Sequence, residues 1–518
     1  MAPNKTSAFL AALPEHVAVE TAEDAIAAAG SDVFSTSSHT PFAVLKPQTV
    51  KDVQAIWRAA SHIGVALVNR GGGLSYTGGV LPGMAEMAVL DVRGLGDIGP
   101  PDLTDQVISA EAGATWQALD GALSGSGWRA ALTPPISGSA STVGGALAQG
   151  LPTGLEAVIG VDVVTPDGTL HAIGPHHFGQ RQTGAHRMMG ADLLGLFLGT
   201  GGAFGTIVRT HLRLERVPAA SAYRSYGVPD LRAAAALMVA MGPHAFGARL
   251  FTMPVRRQAD LAQLPLADKV KTGLKTLSAA NGVSDAAKRM RLLAKTALGP
   301  SDTAGHTACV HAIIEGPNQS AAGAAALALD DVAAQHDATP VSAALPAVMQ
   351  SRPYSLRGML GPKGERWVPV HGVGPLSRLM AYADIVTDFF DAQQPDLDKH
   401  KISTSWLMMA WPGRCALIEP MFLWPAPLLP IHQAAGKVAG RVSQAWDEEA
   451  ERRTAQVTAL KQALTRQLDE AGALHVQLGQ TYAYQDRLSP PVAALLGSIK
   501  AHLDPHGLAA PGNLGFGP

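Results

Sequence analysis

The chain has 518 residues, 47% hydrophobic and 16% charged; this is a globular composition, too long for one ordinary core, so two or three domains are expected. Lysine and arginine total 40, aspartate and glutamate 42, and the net charge of −2 excludes general attraction to nucleic acid or to an anionic membrane. Two distant cysteines, Cys309 and Cys415, exclude a disulfide framework and a cysteine-rich zinc site. The opening M-A-P-N-K-T-S-A-F-L has no secretory pattern and no apolar run is long enough to span a bilayer, so a cytoplasmic protein is the default expectation.

Residues 1–38 read as an Ala-rich lead-in with one short helix over 21–30. A-V-L between the prolines at 41 and 47 predicts a strand. A helix starts at Thr49, with Asp52 three residues on in an approximate capping box. Val50, Val53, Ile56, Trp57 and Ala60 give it one apolar face, and Gly64 ends it. Residues 65–68 form the next strand, which runs into V-N-R-G-G-G-L-S-Y-T-G-G at 68–79. Five of those twelve residues are glycine. Without a Cβ, their backbone can lie directly against a ligand, and successive N–H groups form a concave anion site. A diphosphate is the obvious occupant; a tight surface loop is the alternative.

Residues 87–92 read as a strand, so no helix opens on these glycines. That excludes a Rossmann turn, and the missing G-K-[ST] excludes a P-loop. The loop backbone would hold the phosphates itself, helped by Arg70. A strand over 106–113 and a threonine-capped helix over 115–123 follow. The uncharged tract at 133–150, T-P-P-I-S-G-S-A-S-T-V-G-G-A-L-A-Q-G, suits either tight backbone packing or close approach to a flat ligand. Strands at 157–165 and 169–173 flank P-D-G, and a third small-residue tract fills 196–208 before a strand at 210–214. From 219 the texture changes. Helical patterns at 231–241, 259–298, 319–335 and 431–473 alternate with strands at 247–253, 308–315, 403–411 and 414–424, which predicts an α+β layer arrangement.

Five segments in order carry a resemblance: P-x-T-V-x-D-V-Q, R-G-G-G-L-S-Y-T-G-G, T-V-G-G, D-L-L-G-L-F-L-G-T-G-G-A-F-G-T-I-V and D-P-H-G-L-x-x-P-G-N. Together they resemble the flavoproteins typified by vanillyl-alcohol oxidase and p-cresol methylhydroxylase, over about residues 40–217 and 480–518. The N-terminal half also looks like the related D-lactate and glycolate dehydrogenases. The resemblance implies an α+β fold: a lead-in (1–38), a two-subdomain FAD-binding domain (39–218), an α+β cap (219–475) and a C-terminal segment returning to the FAD domain (476–518). It implies that Gly71, Gly72, Gly73, Leu74, Ser75 and Tyr76 hold the pyrophosphate, beside the Arg70 expected from the loop itself. Gly138, Ser139, Thr142, Gly144 and Gly145 would follow the ribityl chain and ring, and Ile207 would meet the adenine side through its backbone. Asn513 stands where relatives often have lysine or arginine. Leu74 replaces the histidine through which some relatives attach FAD, and no cysteine follows in the second tract, so non-covalent FAD is expected.

A flavin accepts the hydride, so the protein must supply orientation and a base or anion stabiliser. His371, in R-W-V-P-V-H-G-V-G-P-L-S-R, has the residue type for a base near neutral pH; a structural loop histidine is the alternative. Tyr482 and Tyr484, in T-Y-A-Y-Q-D-R, could activate a hydroxyl or simply pack. Arg414 and Glu419 lie on the expected strand pair, and Arg352 and Arg357 flank Tyr354 as possible carboxylate clamps. H-G-V-G-P replaces the H-x-G-D-G-N-x-H of metal-dependent relatives, so no metal is expected. The expected reaction removes a hydride from a C–H beside oxygen in a small alcohol or 2-hydroxy acid. A para-substituted phenol oxidised through a quinone methide, and an electron-transfer module with the basic stretch 269–295 as its docking face, stay open. So do oxygen, a quinone or a cytochrome as acceptor; a homodimer fits the resemblance.

Overall fold

The structure is a computed structural model and describes residues 5–151, 154–174, 187, 190–245, 247–255, 305–351, 353–354, 356–411, 415–434 and 448–517. The helical pattern at 259–298, Arg352 and Arg414 lie outside the described residues.

Three sheets organise the chain. The first comprises β1 (Ala18–Glu20), β2 (Val44–Lys46), β3 (Leu67–Arg70) and β4 (Ala88–Asp91), in the order β1-β2-β4-β3. β2, β4 and β3 are parallel, which requires a crossover between β2 and β3. Helix Val50–Ile63 supplies it. The sequence specifies both its ends: Thr49 and Asp52 form a reciprocal capping box, and Gly64 takes the left-handed conformation at φ 79°. Val53, Ile56, Trp57 and Ala60 are buried along the expected face. The tail adds to the open edge: Leu67 N–H donates to Leu508 O at 2.9 Å, and Ala510 N–H to Leu67 O at 2.9 Å.

The second sheet is antiparallel: β5 (Val107–Glu111), β6 (Trp128–Ala130), β7 (Val158–Val164), β8 (Leu170–Ile173) and β9 (Thr206–Arg216). Its order is β5-β9-β7-β8, with β6 on the far end of β9. The third follows after a break at residues 217–219. It contains β10 (Ala220–Val228), β11 (Ala248–Pro254), β12 (Ala308–Gly316), β13 (Thr339–Pro340), β14 (Arg366–Pro369), β15 (Gly372–Pro375), β16 (Ser403–Trp411) and β17 (Cys415–Trp424), ordered β13-β10-β12-β11-β16-β17-β14, with β15 also on β17. Helices Leu231–Met241, Gln319–Gln335, Leu379–Lys399 and Glu449–Glu470 bury their apolar sides in the same core as this sheet. The expected α+β architecture of two small lobes and a cap is what the chain adopts. No described helix is long and apolar enough to cross a membrane.

The lead-in is better tied down than an Ala-rich stretch suggests. Phe9 packs edge-on to Phe42, and buried Asp32 accepts Gly78 N–H at 2.8 Å. Between cap and second sheet, Arg129 donates to both oxygens of Glu315 at 2.7 Å and to Glu215 at 2.8 Å. Tyr354 donates to Asp120 at 2.6 Å. Arg129→Met leaves the mostly buried Glu315 carboxylate with only Gln350 and Arg249 and is expected to cost about 1–3 kcal/mol. The measurement is limited proteolysis with urea unfolding; unchanged cap protection would show that the ion pair does not hold the cap.

Candidate cofactor and active site

β3 delivers the glycine loop to the meeting point of all three sheets. The loop leans on the second small-residue tract. A Cβ on Gly71 would overlap Thr142 Oγ1, and one on Gly72 would overlap the Ala140 carbonyl. Gly73 adopts φ 72° with the Arg70 guanidinium directly beneath it. Gly71 and Gly145, both against Thr142, line a cleft with Asn69, Gln149, Gly201, Gly205 and Ile207. A second, mostly apolar cavity shares Gln149 and reaches Gly199, Phe204, His475, Gln477 and Tyr484.

These backbones fit a diphosphate nucleotide for a specific reason. Three buried amide oxygens, Gln149 Oε1, Gln477 Oε1 and Asn513 Oδ1, have no hydrogen-bond partner among the described residues. Buried acceptors without donors are costly, and the hydroxyl and imide groups of a bound FAD are donors of the right kind. Asn513 Nδ2 already ties the cleft walls together, donating to Gly79 O at 2.9 Å and Gly201 O at 2.8 Å. A strap at 474–482 crosses the same region. Gln477 N–H donates to Gln149 O at 3.0 Å and Gln480 N–H to Thr77 O at 2.9 Å.

Several expected ligand residues are engaged elsewhere. Arg70 is corrected from a phosphate ligand to a structural clamp: its buried guanidinium donates to Ala28 O, Ala29 O and Ser31 O at 3.0, 3.1 and 2.9 Å. Burial lowers its pKa to about 10. Thr142 caps helix Val143–Ala148 by accepting Gly145 N–H, and Gly144 is small because Ala112 lies against it. Gly138 is covered by the ring of Tyr354 and by Trp116, so its smallness accommodates the cap rather than a flat ligand. Ser139 is half-buried beside it. Leu74 and Tyr76 turn toward cap residues Met359, Leu360 and Trp367, with Tyr76 and Trp367 ring centroids 4.7 Å apart. Ser75 is buried, its hydroxyl 3.1 Å from that of Thr77.

His371 is not a base poised near neutral pH. It is buried, and burial together with neighbouring Lys461 and His475 lowers its pKa to about 3. Its backbone N–H donates to Tyr482 Oη at 2.9 Å, its Nδ1 lies 3.4 Å from the same oxygen, and its Nε2 lies 3.8 Å from Glu419 Oε2. Burial raises the Tyr482 hydroxyl pKa. His475, stacked on Tyr482 at 4.0 Å, bridges Asp469 and the His371 carbonyl at 2.5 Å each. The histidine and Tyr482 thus meet at one seam between cap and strap, whereas half-buried Tyr484 faces the apolar cavity. Sequence reasoning passed over Gln149, Gln477, His475 and Asp32. Gln149 carried a signal: it is the only amide side chain in an otherwise small, apolar and hydroxyl tract. No described residues form a cluster able to hold a metal ion.

Residues 41–174 match the family described as an FAD binding domain. The chain is 27% identical over 206 residues to alkyldihydroxyacetonephosphate synthase of Trypanosoma brucei brucei, covering 38% of this chain and 32% of that protein. It is 28% identical over 213 residues to a probable mitochondrial D-lactate dehydrogenase of Danio rerio, covering 40% and 41%. The aligned stretches thus span less than half the length of these curated relatives. Among solved structures, p-cresol methylhydroxylase with substrate bound superposes with TM-score 0.73 at 16% identity, over 99% of this chain and 96% of that one. The 4-ethylphenol oxidase of Gulosibacter chungangensis gives 0.69 at 17%, over 99% and 97%. At such identities the likeness is one of fold. The matched sequence at 41–174 marks FAD as the cofactor, and the chain as a whole shares the fold of p-cresol methylhydroxylase and 4-ethylphenol oxidase.

Proposed function

We propose that the chain is an FAD-dependent oxidoreductase that removes a hydride from a C–H beside oxygen in a small alcohol or 2-hydroxy acid. The observation carrying this reading is the convergence of the glycine cleft, the strap and the cap seam on one another. Bound FAD supplies the hydride acceptor. The glycine backbones and the three unpartnered amide oxygens would hold it, and the cap seam would exclude water from the reacting carbon. Glu419, His371 and Tyr482 form a chain along which the substrate hydroxyl proton can be held. Tyr482→Phe removes its terminal hydroxyl and is expected to lower kcat about 100-fold or more with FAD still bound. Retained kcat in that variant would take Tyr482 out of the reaction. The aligned D-lactate dehydrogenase is a dehydrogenase of a 2-hydroxy acid by name, which supports the acid over the alcohol.

A second reading, oxidation of a para-substituted phenol, draws on one feature: the Tyr76–Trp367 pair and its apolar neighbours Leu407, Met421 and Leu423. An anaerobic panel of alcohols, 2-hydroxy acids and 4-alkylphenols, read as flavin bleaching, separates the readings. Bleaching by alkylphenols alone would reverse their order, and bleaching by a reduced protein partner alone would favour an electron-transfer role. With Leu74 in the loop, acid precipitation is expected to leave a colourless pellet and a yellow supernatant; a yellow pellet would mean covalent attachment.

A further inference from the structure

Behind the glycine loop, on the far side of Tyr76, lies a buried group of hydrogen-bond donors that the redox reading does not use. Arg366 (5% exposed), His432 (1%) and Lys461 (3%) gather around the lead-in segment Ser31–Phe34. Arg366 Nη2 donates to the Phe34 carbonyl, and its guanidinium stands 5.1 Å over the Trp424 ring. Lys461 Nζ sits 4.3 Å over the Phe34 ring and donates to Tyr76 O at 3.0 Å. Ile431 N–H donates to Ser31 Oγ at 3.1 Å, which draws His432 in from the other side.

Two of these donors have no acceptor. Arg366 Nε is buried without a partner among the described residues, and so is His432 Nε2. The tautomer of His432 follows from its other nitrogen: Nδ1 accepts Leu429 N–H at 3.0 Å, so the ring hydrogen resides on Nε2. Both unpartnered atoms are therefore N–H groups. Each costs about 1–3 kcal/mol if left so. Charge is also unbalanced. Asp32 is the carboxylate acting on both Lys461 and Arg366, and it is already engaged by the N–H groups of Phe34, Ser35 and Gly78. Burial lowers Lys461 to about 8 and Arg366 to about 10. Arg70 also draws on Asp32, so cations outnumber that carboxylate; the excess, with two free N–H donors, matches a single negative charge on one or two acceptor atoms. They do not match a cation, which needs acceptors, nor a phosphate dianion, which needs more donors.

We propose that Arg366, His432 and Lys461 form the donor shell of a buried site for a carboxylate-sized monoanion. The anion is either the carboxylate of a 2-hydroxy acid substrate or a free small ion. The site stands apart from the redox reading; only its assignment to substrate rests on that reading.

The test is thermal unfolding of the FAD-loaded full chain in bromide, acetate or a bulky sulfonate at one ionic strength. The midpoint should rise and saturate with bromide and acetate, stay flat with the sulfonate, and lose this response in Arg366→Met and His432→Phe. An equal response to the sulfonate, or one that survives in both variants, overturns the proposal. Should the variants not fold, bromide-soaked crystals of the unaltered protein decide: anomalous density within hydrogen-bond reach of Arg366 Nε and His432 Nε2 supports the site, and water alone there refutes it. Competition separates the sources. Bromide that slows bleaching by a 2-hydroxy acid and not by an alcohol marks the substrate's carboxylate; bromide that stabilises without competing marks a resident ion.

Discussion

Lowering the pH from 7 to 5 is expected to destabilise the folded chain steeply. Burial lowers His311 to about 3, His371 to about 3 and His432 to about 4. An unfolded histidine titrates near 6.5. Between these values the unfolded chain binds protons that the folded chain refuses, so stability is fully present above about pH 6.5 and is lost as the pH falls below it. Each such proton contributes a slope of about 1.4 kcal/mol per pH unit, so the three together give about 4. Asp32 works the other way, because burial raises its pKa and its protonation relieves a buried charge. Urea midpoints at pH 7, 6 and 5, with proton uptake measured on unfolding at pH 5, check this. Uptake below one proton would mean that these rings are more solvated than their burial implies. His311→Asn should flatten the slope by about a third, since that ring, beside Ser225 and Phe251 in the cap sheet, is one of the three held neutral.

Gly71→Val is expected to abolish tight FAD binding while leaving the cap intact. Its Cβ would fall on Thr142 Oγ1, the cap of helix Val143–Ala148, so the cleft wall and the helix start must both shift. Overpacking of this kind costs about 1–3 kcal/mol. At a tenfold change per about 1.4 kcal/mol, FAD affinity should fall roughly 10- to 100-fold. Gly145→Val, next to it, should behave alike, since a Cβ there would lie 2.8 Å from the same oxygen. Gly121→Ala is the control, because nothing lies within 4 Å of its Cβ position. Equal FAD affinity in the Gly71 variant and the control, measured by flavin fluorescence on reconstitution, would move the pyrophosphate away from this loop.

The first two lobes were legible because their signals are local. Thr49, Asp52 and Gly64 specify a helix without reference to anything distant, and P-D-G specifies the β7–β8 hairpin. Helix Leu379–Lys399 escaped notice: its buried Leu379, Tyr382, Val386 and Phe389 are diluted by polar residues, and Pro395 near its end reads as a break. The cleft was legible in its glycines but not in which way each faces. Gly71 and Gly144 look alike in sequence and both line the cleft, yet one makes room for Thr142 and the other for Ala112. Arg70 looked like an anion ligand because it precedes the loop; only the fold shows three carbonyls of the lead-in converging on it. The titration of His371 was out of reach for the same reason, since burial is a property of the assembled seam.

The wall of the cofactor cleft joins residues far apart in this sequence. Asn513 joins Gly79 across 434 positions of sequence, and Lys500 Nζ fastens the tail to Ala203 O at 2.6 Å. At roughly 5–20 residues per second of synthesis, the glycine loop waits on the order of 20–90 s for the residues that complete it. FAD loading is therefore a late event in the life of a nascent chain. Until then the loop emerges from the ribosome as an unfinished edge, with β3 still lacking its last neighbour.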